Sequence, residues 1–188
     1  MRTFNPTNHT KVLDVGGTPM NWTLVDCDAQ VTLLNLSRAE DMQELPVNLS
    51  FATGDGTSLN YRDGHFDICY SNSVIEHVGT FQNQMKFAGE TRRVGKAAWV
   101  QTPARSFFFE PHLLTSFVHF FPKNLRRKLL RNFTVWGWLV RPTSEEVERF
   151  LSEVRLLNFD EMRQLFPDCE IRKEKFLGFT KAYIAVRK

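Results

Sequence analysis

The stretch Lys11–Gly17, KVLDVGG, decides how this chain folds: Val12, Leu13 and Val15 form a short apolar run that stops at Gly16 and Gly17. A run of this kind reads as a buried parallel strand, and glycine lets the backbone that leaves it turn sharply and approach a ligand closely. Working outward, Val31–Leu36 (VTLLNL), Leu49–Thr53 (LSFAT), Phe66–Tyr70 (FDICY) and Ala97–Gln101 (AAWVQ) repeat the pattern, the third run ending before Gly54 and Gly56. Between Gln82 and Val94 the apolar residues Met85, Ala88 and Val94 recur at near-helical spacing and stop at Gly95. A polar stretch after Leu36 is compatible with a helix. Alternating strands and helices with short connections predict a parallel sheet covered by helices on both faces, with ligands at the carboxyl ends of the strands.

Beyond Pro103 the character changes. Phe107–Phe121 is rich in aromatics and histidine, and Lys123–Arg131 (KNLRRKLLR) holds five cations in nine residues. Thr143 and Glu146 have capping-box spacing, and Val147, Phe150, Leu151 and Val154 follow on one helical face. Asn158 caps a further short helix that ends by Pro167. Glu170–Phe176 and Ala182–Val186, separated by Gly178, predict a closing antiparallel hairpin.

With 188 residues, the chain suits one domain. Its parts are a strand-and-helix half (11–103), an insertion or lid (104–157) and a closing helix and hairpin (158–188). A net charge of +3 is too small to argue nucleic-acid binding, and no recognition module is visible. No run is long and apolar enough for a membrane span, and MRTFNPTNHT lacks the core of a signal peptide, so a cytoplasmic location is the expectation. Cys27, Cys69 and Cys169 are odd in number and widely spaced, which suggests neither a metal cluster nor a disulfide framework.

Polar groups stand at successive strand ends: Asn35, then Gly54-Asp55-Gly56, then Ser71-Asn72-Ser73. Together VLDVGG, ATGDGTSL and FDICYSNSVIEHV resemble the class I S-adenosylmethionine-dependent methyltransferases, in particular the small "type 11" domains, over most of Lys11–Pro103. FLGFTKAYIAVRK is similar to that family's terminal hairpin. The resemblance implies a Rossmann-like α/β three-layer sandwich. Its seven-stranded sheet would be mostly parallel, in the order 3-2-1-4-5-7-6, with an antiparallel C-terminal strand.

The resemblance also implies S-adenosylmethionine as cofactor. Asp14, Gly16 and Gly17 would line its methionine end, Asn35 its ribose, and Asp55 with Gly56 its adenine, while Ser71 and Asn72 would stand near its amino group. The chain departs from the family at three places. Thr18-Pro19-Met20 replaces a third glycine, which brings Trp22 within reach of a ligand. Asn35 stands where an acidic residue is usual, and only about ten residues precede the first strand, so a more open pocket or one completed by a partner subunit is expected.

Methyl transfer needs alignment and exclusion of water, and a general base only when the acceptor carries a proton. His77, His112 and Glu110 are the candidates for that role, and His119 reads as a core histidine. Glu76 and His77 also read as a helix-start carboxylate and a packed histidine. The acceptor is read as a small molecule, partly apolar or acidic from the aromatic and basic segments beside it, and residues 123–140 permit peripheral membrane contact. A homo-oligomer fits the short N-terminus. The competing reading is a non-catalytic binding or scaffold protein with a weakened cofactor site. A nicotinamide-dependent oxidoreductase is disfavoured, since G-x-G-x-x-G is absent and no acidic residue ends the second strand.

Overall fold

The structure is a computed structural model, and it describes residues 3–37, 45–107, 109–110, 115–116, 125, 129 and 135–188. Five parallel strands follow the apolar runs: β1 (Lys11–Val15), β2 (Gln30–Asn35), β3 (Leu49–Thr53), β4 (Phe66–Asn72) and β5 (Gly95–Pro103). Two short strands, β6 (Phe109–Glu110) and β7 (Thr115–Ser116), pair with each other outside the main sheet. The hairpin β8 (Glu170–Phe176) and β9 (Phe179–Arg187) closes the chain.

The sheet has seven strands in the order β3-β2-β1-β4-β5-β9-β8. This is the expected 3-2-1-4-5-7-6 order of a Rossmann-like fold, since β8 and β9 are its sixth and seventh strands. Within it β9 runs antiparallel to both neighbours, from Pro103↔Ala182 to Ala98↔Arg187 against β5. The apolar runs place β1 and β3 to the residue, while β5 extends two residues further at each end than its run.

The period of two in each strand divides the core. Leu13, Val15, Leu34, Cys69 and Val100 face one side, under α2 (Phe81–Val94) and α5 (Phe159–Leu165), with Phe87, Met162 and Phe166 filling that layer. Val12, Val31, Leu33 and Ile68 face the other, where α1 (Pro19–Thr23) supplies Trp22. The helix termini carry the expected chemistry. Thr80 caps α2, and Asn158 forms a full capping box with Glu161 at the start of α5. At the start of α4 (Ser144–Glu153) the Thr143 amide donates to Glu146 Oε2 while the Glu146 amide donates to Thr143 Oγ1. The remaining helix is α3 (Val135–Val140). Residues expected in the polar stretch after β2, and most of 108–134, lie outside the described residues.

Among the described residues no helix is long and apolar enough to cross a membrane. A side-chain cluster joins Arg155 to α2 and to the turn after β4. Buried Gln84 on α2 donates to the carbonyls of Ile75 and Arg155, at 3.0 and 2.8 Å, and accepts from the Arg155 guanidinium at 2.6 Å. Arg155 also pairs with Glu161, lies 4.7 Å from the centre of the Phe81 ring, and donates its amide to Glu76 O.

Phe87 is fully buried and reaches from α2 to the strand ends. Phe87→Ala is expected to destabilise the protein by about 3–5 kcal/mol, because the cavity it leaves is walled by a rigid sheet. A urea-denaturation midpoint with an unchanged m-value would check this.

Candidate functional site

The carboxyl ends of β1, β2 and β3, with the turn after β4, surround a cavity of about 710 Å³. Gly16, Gly17, Asn35, Asp55, Gly56 and His77 all line it, so the fold brings together six of the residues singled out in the sequence. Val15, Leu34, Phe51, Val74 and Phe87 form its apolar walls.

Each glycine is required by a different neighbour. Gly16 has φ +80, and a Cβ there would sit 2.4 Å from Val74 Cγ2. A Cβ on Gly17 would meet the Asp14 carboxylate at 1.9 Å, and one on Gly56 would meet the Phe87 ring at 2.7 Å and Val15 at 2.9 Å. Protein packing beneath the turns thus fills the space of the missing side chains.

Asp14 departs from the sequence expectation. It is only 1% exposed, lies outside the cavity lining, and accepts a 2.7 Å hydrogen bond at Oδ2 from Trp22 Nε1. Strand alternation explains this, since Asp14 points to the face opposite Leu13 and Val15. Burial pushes its pKa up to about 6, against the lowering effect of the Trp22 bond. Trp22, expected near the ligand, packs instead in the core, edge-on to Tyr70 at 5.9 Å, and Tyr70 stacks on Trp99 at 4.7 Å. Pro19 is the cause. Its fixed φ starts a helix at the position of the absent third glycine, and one turn of that helix carries Trp22 away from the cavity.

Ser71 and Asn72 also lie outside the lining. Ser71 is buried and donates to Val15 O at 2.9 Å, which ties β4 to the end of β1. Asn35 faces the cavity while its Nδ2 donates to Gly17 O at 2.9 Å, so this neutral side chain braces the glycine turn. Asp55 Oδ1 accepts from both the amide and the hydroxyl of Thr57 at 2.8 Å, leaving Oδ2 as the acceptor a ligand donor can use.

The Glu76-His77 pair divides between two environments. Glu76 is buried and accepts from Thr102 Oγ1 at 2.9 Å, whereas His77 is exposed at the cavity. Glu110 lies on β6, and His112 and His119 fall outside the described residues.

Sequence reasoning named Ser73 as a polar strand end but not its kink, and it missed Val74, Gly79 and Asn83. Ser73 holds φ 57, with its amide bonded to Gln101 O at 3.0 Å, and this kink sets Val74 beneath Gly16. Gly79 has φ +86 at the cavity wall, and Asn83 Nδ2 closes the turn by donating to Val78 O at 3.0 Å. The S-N-S and V-G-T strings carried the turn signal, but not its direction.

Residues 9–98 match the family model of the methyltransferase domain. No curated protein matches the chain. Among solved structures, the chain is similar to an S-adenosylmethionine-dependent methyltransferase of Methanosarcina mazei, with 15% identity, 96% of this chain and 92% of that one covered, and a TM-score of 0.54. It is also similar to a chain of a Haloferax volcanii complex between a methyltransferase activator and a methyltransferase, with 11% identity, 97% and 83% coverage and a TM-score of 0.58. The Haemonchus contortus phosphoethanolamine N-methyltransferase 2, solved with phosphomonomethylethanolamine and S-adenosylhomocysteine, matches with 14% identity over 92% of this chain and 37% of that one, at a TM-score of 0.55.

Two outcomes follow from this geometry. The folded carboxyl of Asp14 holds its proton to about pH 6, well above its ordinary 3.8, so the native state binds more protons than the unfolded chain between these values. The stability Asp14 contributes is therefore full below about pH 4 and declines by roughly 3 kcal/mol as pH rises past 6. Asp14→Asn removes that decline, so the difference in urea midpoint between the two proteins shrinks or reverses from pH 4 to pH 7. Asn35→Asp, which places there the acid usual in the methyltransferases that the sequence resembles, is expected to loosen the turn by about 1–3 kcal/mol, because it sets a carboxylate oxygen against Gly17 O. Thermal melting at pH 7 checks it.

Proposed function

We propose that this chain, whose residues 9–98 match the family model of the methyltransferase domain, binds S-adenosylmethionine in the strand-end cavity and transfers its methyl group to a small-molecule acceptor. The observation that carries this reading is the charge of the lining. Among the described residues around the cavity there is one carboxylate, Asp55, and no lysine or arginine. Such a site suits a cationic, phosphate-free nucleoside and gives a pyrophosphate nothing to pair with. The short α1 adds to the contrast, since Pro19 at its start removes an amide that a dinucleotide's phosphates would use.

The fit extends to size and shape. About 710 Å³ lies within the range of cofactor pockets, and the apolar walls of Leu34, Phe51 and Val74 accept a nucleoside. Asp55 Oδ2 would take the adenine amine, Asn35 a ribose hydroxyl, and the Gly16-Gly17 turn the amino-acid end. Asp14, Ser71 and Asn72 would act through the turn and the strand ends they hold, without lining the ligand.

When bound, the cofactor supplies an electrophilic methyl on a positively charged sulfur. The chain's part is to fix that methyl in line with a nucleophile and to keep water out. His77 would receive the proton of a hydroxyl or amine acceptor, from a turn held by Gln84 and Arg155. Residues 104–157, with Glu110 and His112, would form the acceptor side, and an activator or second subunit would complete a pocket left open there.

Titration calorimetry with S-adenosylmethionine tests the reading. Asp55→Asn keeps the Thr57 turn through its amide oxygen but presents a donor to the adenine amine. It is expected to weaken binding about tenfold with no change in melting temperature. His77→Gln should lower kcat about 10²-fold or more while leaving that affinity intact. Absence of binding by the native protein at millimolar cofactor would favour the scaffold reading instead.

A further inference from the structure

We propose that the tip of the β8–β9 hairpin, Phe176-Leu177-Gly178-Phe179, inserts into the interface of an anionic lipid bilayer. Folding alone does not account for the residues at this turn. Leu177 and Gly178 both hold positive φ, at 49° and 84°, the geometry of a tight hairpin turn that asparagine or aspartate before glycine adopts most readily. A leucine there is strained, and its side chain is 78% exposed. Phe176 and Phe179 flank it at 51% and 55% exposure. A chain selected only for a stable hairpin would carry a polar residue at this site.

The tip lies at the cavity's edge of the sheet. Ala182 on β9 pairs with Pro103 at the carboxyl end of β5, and the Phe176 ring meets Phe107 edge-on at 6.4 Å. A collar of cations surrounds it. Lys175 precedes the apex on β8, opposite Thr180, Lys181 lies two residues beyond Phe179 on β9 at the register shift, and Lys173 lies over the Phe159 ring at 4.0 Å. Arg105 is exposed next to Ala104, whose amide donates to Lys181 O. Glu174 pairs with one of these four cations, Lys181, at 2.9 Å.

Apolar apex and basic collar together fit a surface whose interior is hydrocarbon and whose rim is anionic. The size of the patch argues against a protein partner. Three partly exposed side chains offer roughly 100 Å² each, far below the approximately 800 Å² per partner of a stable protein interface. A bilayer requires no such complementary area. This contact is separate from the methyl-transfer reading, because none of its residues lines the cavity.

Co-sedimentation with vesicles tests it, comparing phosphatidylcholine alone with a phosphatidylcholine–phosphatidylglycerol mixture. The native chain should associate with the anionic vesicles, weakly with the neutral ones, and less as salt rises. Leu177→Asn, which suits the left-handed backbone, should cut vesicle association about tenfold while the melting temperature stays level or rises. Lys175→Glu should reduce association with anionic vesicles alone. No association with anionic vesicles, equal association with neutral ones, or an unchanged Leu177→Asn variant would each overturn the proposal. So would a concentration-dependent dimer in sedimentation velocity that Leu177→Asn abolishes, since the tip would then bind a second copy.

Discussion

The buried carboxyl group of Asp14 is the constraint on which the cavity-bearing edge of the sheet depends. It lies under the glycine turn so closely that Gly17 admits no side chain, and its bond to Trp22 fixes the first turn of helix after β1. A carboxylate with one strong donor and almost no water is costly to ionise, which is why its pKa rises and why burial also pushes Tyr70 up to about 12, with the charge of Asp14 adding to the effect. Geometry and electrostatics therefore meet at one atom. The turn that forms the cavity floor is held from below by a group that contributes no lining of its own.

The cavity's rim is held differently. Glu76, Gln84, Thr102 and Arg155 come from four separate parts of the chain, and their mutual hydrogen bonds fix the short turn that carries His77. Polar groups buried with their partners specify one arrangement more sharply than apolar packing, because each alternative leaves a donor or acceptor unmet. The chain can thus hold an exposed histidine at the cavity, at the end of a single 3-10 turn over Ile75–His77. A parallel bridge also joins Ala104, just after β5, to Leu157, just before α5.

The sheet was legible because buried parallel strands leave a plain trace: short apolar runs, each stopped by glycine or a polar strand end. KVLDV and LSFAT gave β1 and β3 to the residue, and the cap signals at Thr143 and Asn158 appear as real capping boxes. The site was legible only in part. Gly16, Gly17, Asn35, Asp55, Gly56 and His77 converge on the cavity, whereas Asp14, Ser71 and Trp22 are near it in sequence and turned away in space.

By itself, the sequence determined the seven strands of the main sheet, the helices α2, α4 and α5, and the strand ends at which the cavity forms, because periodicity, glycine and capping residues act over a few neighbours. The tertiary structure alone decided which polar groups face that site. The pleat sends Asp14 to the face opposite Val15, the helix started by Pro19 carries Trp22 after it, and the kink at Ser73 brings Val74 under Gly16. Each of these depends on contacts between segments far apart in the chain, and local pattern holds no record of them.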